Sequence, residues 1–105
     1  TRIGIIQNGR ILREGTLEEL CAVVPAEQLL TLVSEDDGMC REKANSLGWN
    51  CRMYGGRLTI CLPRRYNMED IVRIFADIPL ESISLQEVNL EHAYFEILFT
   101  GANKL

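Results

Sequence analysis

Residues 49–62 read WNCRMYGGRLTICL, and this stretch decides the fold. Trp49, Cys51 and Met53 alternate with polar residues, as a half-buried strand requires. Tyr54-Gly55-Gly56-Arg57 is a tight turn, because paired glycines accept the positive φ angles of a two-residue hairpin loop. Leu58, Ile60 and Leu62 alternate on the return strand, and Pro63 ends it. A hairpin at mid-chain, flanked on each side by a helix pattern and then a strand pattern, points to a mixed α+β arrangement.

Upstream, Leu29 to Ser34 is an apolar run suited to a buried strand. Glu35, Asp36 and Asp37 place negative charge where a helix macrodipole favours it. The helix is expected from Met39 to Leu47, with Cys40, Ala44 and Leu47 inward and Gly48 as its C-terminal cap. Downstream, Asn67 caps a helix in which Ile71, Ile74, Phe75 and Ile78 share a face, and Pro79 closes it. Ile83 and Leu85 mark a last strand. From Leu29 to Val88 the order is therefore strand, helix, strand, strand, helix, strand. The expected fold class is α+β: a ferredoxin-like βαββαβ module, preceded by a β-hairpin plus helix and followed by a C-terminal helix.

The preceding hairpin is read from TRIGIIQNGRILREG, residues 1–15. Ile3 and Ile5 alternate before Asn8-Gly9, a type I′ turn signal, and Ile11 and Leu12 follow it. Thr16 stands three residues before Glu19, the spacing of a capping box. Leu17, Leu20, Cys21 and Val24 form one helical face, which Pro25 stops. At the other end Asn89 caps a helix with the stripe Leu90, Ala93, Tyr94, Ile97 and Leu98, expected to end at Gly101. The expected division is residues 1–25, residues 26–101, and a frayed tail at 102–105.

The 105 residues carry a net charge of −4, which disfavours general binding to nucleic acid or anionic membranes. The charge is uneven. Residues 39–66 hold Arg41, Lys43, Arg52, Arg57, Arg64 and Arg65 against Glu42, a balance of +5. Residues 67–99 hold seven acids against Arg73, a balance of −6. Two differently charged solvated surfaces account for this, and docking onto a partner is the sharper alternative. No apolar run approaches the ~20 residues of a membrane span.

Residues suited to chemistry are few. Cys21, Cys40, Cys51 and Cys61 lack the close pairwise spacing of a zinc half-site, and are expected as buried, reduced thiols, which favours the cytoplasm. No glycine run is followed by Lys and Ser or Thr, the pattern of a phosphate-cradling loop. His92, the only histidine, is expected as a partly exposed structural residue. Asp36-Asp37 and Glu69-Asp70 stand at helix starts, where capping explains them. Arg64-Arg65 could hold an anion but also suits a solvated strand end. Among Trp49, Tyr54, Phe75, Tyr94, Phe95 and Phe99, none lies on the first strand of the module, which disfavours the base-stacking surface of single-strand RNA readers. Phe95 and Phe99 are four apart on the last helix and are candidates to face a partner.

Two separated blocks carry a family resemblance. Arg2-Ile3-Gly4-Ile5-Ile6, then Asn8-Gly9-Arg10-Ile11, then Glu14-Gly15-Thr16 with Glu18-Glu19-Leu20, resembles the closing strands and helix of the ATPase domain in ABC transporters. Asn89-Leu90-Glu91-His92-Ala93-Tyr94-Phe95-Glu96-Ile97-Leu98 with Thr100-Gly101 is similar to the helix that ends many drug-, antibiotic- and sodium-exporter ATP-binding subunits. Those usually read Ser-Leu-Glu-Asp-Val-Phe-Leu-Glu-Leu, so Asn89, His92 and Ala93 depart from the pattern. Residues 26–88 resemble the appended C-terminal module of these subunits in element order and in Gly56-Arg57-Leu58.

The resemblance implies that the chain, which begins at Thr1 rather than Met, starts inside a longer protein. The phosphate loop, signature motif and switch histidine would then precede Thr1. No catalytic, cofactor-binding or metal residue is carried over to this sequence, and ATP and Mg would belong to the parent chain. The implied role is a non-catalytic accessory or regulatory module at the cytoplasmic side of the membrane. Its implied partners are the rest of the ATPase domain, a second copy of that domain and, indirectly, a membrane permease. Nucleic acid and direct membrane insertion are not expected. A small-ligand-binding regulatory domain of ferredoxin-like type is the alternative, favoured by a pocket lined by Arg52, Arg57 or Arg64. The isolated chain is expected to self-associate as a homodimer, because Ile3, Ile5, Ile6, Ile11 and Leu12 would otherwise face water along an unpaired edge.

Overall fold

The computed structural model describes residues 1–103. It is a mixed α/β structure with two sheets and four helices among those residues. The chain divides into two compact units: residues 1–25 together with those from Val88 onward, and Ala26–Glu87. The last helix thus groups with the N-terminal hairpin, whereas the sequence attaches it to residues 26–101.

In the first unit, β1 (Ile3–Gln7) and β2 (Arg10–Gly15) form a two-stranded antiparallel sheet. Asn8 and Gly9 join them at φ 54° and 77°, the two left-handed positions a type I′ turn demands. The register shifts once. Ile5 pairs with Arg13 but Ile6 with Ile11, so Leu12 has no partner and forms a bulge. This extra residue moves Ile11 off the Arg13 face and onto the face of Ile6. Leu12 joins them there by alternation, and all three are exposed, whereas Ile5 on the opposite face is buried. α1 (Leu17–Cys21) begins at Thr16, whose hydroxyl accepts from the Glu19 amide at 3.1 Å. The Glu19 carboxylate accepts from the Thr16 amide at 2.9 Å, which completes the capping box.

α1 is shorter than its apolar spacing implies. It stops at Cys21, leaving Leu17 exposed and Cys21 half-buried, while Leu20 and, past the helix end, Val24 are buried. α4 (Leu90–Asn103) corrects two expectations. It runs past Gly101, so that glycine does not terminate it. Its buried residues are His92, Ala93, Glu96 and Ile97, while Leu90 is exposed and Tyr94 and Leu98 are half-buried. The helix is apolar on nearly every side, so its stripe did not select a face. Of the tail expected to fray, residues 102–103 are helical and residues 104–105 lie outside the described residues.

The second unit runs β3 (Gln28–Val33), α2 (Asp37–Ser46), β4 (Asn50–Tyr54), β5 (Arg57–Leu62), α3 (Met68–Ile74) and β6 (Ser82–Gln86). The sheet order is β4-β5-β3-β6, with each neighbouring pair antiparallel. β3 and β4 are therefore parallel with β5 between them, and β5 and β6 are parallel with β3 between them. Leu30 lies opposite both Ile60 and Leu85, and Leu32 opposite both Leu58 and Ile83. These side chains share one face, against which Cys40 and Ala44 of α2, Ile71 of α3, Phe75 and Ile78 complete a buried core. Fully burying each large aliphatic side chain contributes roughly 1.5–3 kcal/mol before ordering costs. The other face of the central strands is also buried at Leu29, Thr59 and Cys61, so β5 is covered on both sides.

The helix ends follow from their sequence. Asp36 caps α2 by accepting from the Met39 amide at 3.1 Å. Gly48, at φ 77°, closes it: the Gly48 amide reaches the Asn45 carbonyl, and the Trp49 amide reaches the Ala44 carbonyl. That pair of bonds is a Schellman motif, which only a residue tolerant of the left-handed region completes without strain. Leu47, expected inward, is the last residue before this turn and is exposed. α3 ends at Ile74, so Phe75 and Ile78 enter the core from the cap and the turn that follow rather than from the helix itself. Among the described residues no helix is long and apolar enough to cross a membrane.

Candidate functional site

The structure turns most candidate chemical residues into supports of the fold. Asp36 and Asn67 are helix caps, and Asp37, Glu69 and Asp70 occupy the first turns that follow. Glu69 and Asp70 also pair with Arg73, on a largely solvated face. Such exposed pairs are each worth well under ~1 kcal/mol. Lys43 reaches Asp77 at 3.2 Å and ties α2 to the turn after α3.

Arg64 and Arg65 do not converge on an anion. Arg65 forks onto the Glu87 carboxylate, both of its terminal nitrogens engaged. That pair raises the Arg65 pKa and lowers that of Glu87. The Arg64 guanidinium lies over the ring of Tyr66, 3.9 Å from its centroid. Tyr66 in turn meets Trp49 edge to face at 5.3 Å, and its amide donates to the Gln28 side chain at 2.9 Å. Tyr66 escapes sequence reasoning because Pro63 and the polar residues around it mark a loop rather than an apolar stripe.

His92 is buried, contrary to the expectation of partial exposure. Its Nδ1 accepts from the Asn89 amide at 3.0 Å, and the Asn89 side chain accepts from the His92 amide at 3.1 Å. Burial lowers the His92 pKa, with Glu91 a smaller opposing influence. Glu96, one turn further along, is buried as well, and sequence reasoning missed it. Among the described residues every buried side-chain polar atom has a hydrogen-bond partner, so none is left aimed at an absent ligand.

None of the four cysteines is in a disulfide; Cys40 and Cys61 are buried, while Cys21 and Cys51 are half-buried. Burial raises the pKa of the Cys40 and Cys51 thiols, which suppresses nucleophilic thiolate. No three His, Cys, Asp or Glu side chains among the described residues gather as a metal cluster.

Surface recesses offer a different kind of site. One, of about 450 Å³, lies in the first unit. It runs along β1 at Ile3, Gly4, Ile5 and Ile6, opposite Leu90, Glu91 and Tyr94 of α4. Glu91 carries its one charged side chain, and its character is that of a contact groove. Another, of about 420 Å³, lies in the second unit where β3, β5 and β6 meet the start of α2. Leu32, Val33 and Leu58 line it, and Ser34, Asp37, Arg57 and Ser82 bring polar groups, two of them of opposite charge. The Ser34 hydroxyl is already engaged, donating to the Pro79 carbonyl at 2.6 Å and accepting from the Asp36 amide. Of the arginines named for a ligand pocket, Arg57 lines this recess, whereas Arg52 and Arg64 line neither recess.

Comparison of the chain with protein-family models gives no match, and comparison with curated proteins gives none.

Proposed function

We propose that the chain is an accessory C-terminal module of an exporter-type ABC ATP-binding subunit, acting by contact rather than by chemistry at the cytoplasmic side of the membrane. The observation that carries this reading is the first unit. The hairpin with its capping box and the Asn89-capped last helix, the two separated blocks that carry the resemblance, make up one compact unit. That unit exposes Ile6, Ile11, Leu12 and Leu17, an apolar surface suited to the rest of an ATPase domain or to a second copy. The second unit is of ferredoxin-like type in this reading. Support comes from its βαββαβ order and from the way each helical crossover spans an intervening antiparallel strand. The partners are the remainder of the ATPase domain and, through it, a permease; the chain by itself forms a homodimer.

Two measurements test this. Mg-ATP titrated into the chain, followed by amide NMR shifts, is expected to give no saturable change. Micromolar binding would place a nucleotide site here rather than upstream. The coding sequence upstream of Thr1 is expected to carry a phosphate loop and a signature motif, and a different domain there would remove the transporter reading.

The recess at Arg57 favours a second reading, a regulatory domain that binds a small ligand with an acidic group against Arg57. Saturable shifts at Arg57 and Ser82 with small carboxylates, abolished by Arg57→Ala, would support it over the contact role.

A further inference from the structure

The hairpin has two edges of unlike chemistry. The β2 edge is interrupted by the Leu12 bulge and carries Arg10, Arg13 and Glu14. Bulges and charges are the means by which proteins protect strand edges from pairing. β1 has neither: Ile3-Gly4-Ile5-Ile6-Gln7 is uninterrupted and bears no charged side chain, and among the described residues it pairs with β2 alone. The recess of about 450 Å³ follows this strand, with Leu90 and Tyr94 on its far side. An unprotected edge beside an apolar groove accepts an added extended strand.

We propose that the occupant is β1 of a second copy, paired antiparallel about a two-fold axis at Ile5. Self-complementarity favours this partner and this register. Centred on Ile5, the pairing sets Gly4 opposite Ile6 of the second copy and Ile3 opposite Gln7. No pair brings like charges together. Gly4 has nothing within 4 Å of the place a Cβ would take, while Ile6 is 59% exposed on the same face. Each exposed isoleucine therefore seats over the other copy's glycine. The product is a four-stranded sheet, β2-β1-β1-β2, whose outer edges are the two bulged, charged strands. A lone two-stranded ribbon is marginal, and four strands escape that limit. An isologous two-fold contact also closes on itself and stops at a dimer.

This specifies the surface and register of the self-association proposed above and needs nothing of the transporter reading. Sedimentation of the intact chain at tens of micromolar is expected to show a dimer. Gly4→Val adds a side chain where the monomer has room, at a position strands tolerate, and fills the seat of Ile6. Ile6→Lys places a charge on the unprotected edge. Each is expected to weaken the dimer at least about tenfold, with circular dichroism and the unfolding midpoint of the monomer unchanged. Ile11→Lys, one strand removed from the pairing edge, is expected to leave the dimer in place. In a mixture of isotope-labelled and unlabelled chains, intermolecular NOEs are expected between Gly4 and Ile6. The proposal is overturned by a monomeric intact chain, by a Gly4→Val dimer as tight as the parent, or by a dimer lost to Ile11→Lys but kept in Ile6→Lys. A monomer would leave the transporter reading standing, since that reading rests on the upstream sequence and on nucleotide binding.

Discussion

Asn89 and His92 cap the first turn of α4 through each other: each side chain accepts the other's backbone amide, at 3.1 and 3.0 Å. A capping box ordinarily uses a carboxylate or amide at the third helical position. Here imidazole Nδ1 takes that place, so the ring must be neutral with its proton on Nε2. A protonated ring would turn an N–H toward the Asn89 amide. Burial acts in the same direction and lowers the His92 pKa.

The sign of the pH dependence follows. The unfolded chain takes up a proton at about pH 6.5, the folded chain at a lower pH. The contribution of His92 to stability is therefore full above about pH 6.5 and is lost as pH falls through the folded value. Denaturant melts from pH 8 to pH 5 are expected to show declining stability. His92→Gln, which retains an acceptor that does not titrate, is expected to flatten that decline; an unchanged slope would assign the dependence to other groups.

Thr16→Ala is expected to cost about 1 kcal/mol, the usual loss for a Thr cap. Thr16 and Glu19 bond reciprocally, so Glu19→Ala should remove part of the same energy and the double variant less than the sum. A double-mutant cycle by urea melts checks this, and strict additivity would mean the box does not act as a unit.

Gly48→Ala is expected to destabilise the second unit by roughly 1–2 kcal/mol, the cost of holding an L side chain in the left-handed region. Space is not the obstacle, since nothing lies within 4 Å of a Cβ there; the strain is in the backbone at φ 77°. If Gly48→Ala melts at the parent denaturant concentration, the Schellman geometry after α2 is not what the structure depicts.

The cysteines are expected to label in order. Cys21 and Cys51, both half-buried, react first with a thiol reagent at pH 8, and Cys51 is slowed because burial raises its pKa. Cys40 and Cys61 react at the rate of opening of the native state. Mass spectrometry of quenched samples reads the order, and early labelling of Cys40 would contradict its placement in the core.

Local chemistry determined a large share of this protein before any packing was considered. Asn8-Gly9 and Gly55-Gly56 specify their hairpins because few other residues accept positive φ at two consecutive positions. Thr16, Asp36, Asn67 and Asn89 each satisfy amides a few residues ahead, so those helix starts are written within one turn of sequence. Period-two alternation in Leu58, Ile60 and Leu62 marks the core face of β5 for the same reason. Tertiary structure alone decided the rest. Alternation says nothing of the other side of a strand, so the burial of Thr59 was not legible, whereas Leu29 and Cys61 are buried as their apolar settings implied. A helix apolar on nearly every side does not say which side turns inward, so the burial of His92 and Glu96 was hidden too. The Leu12 bulge depends on how two strands register against each other, a long-range choice, and it determines which isoleucines of the hairpin face water.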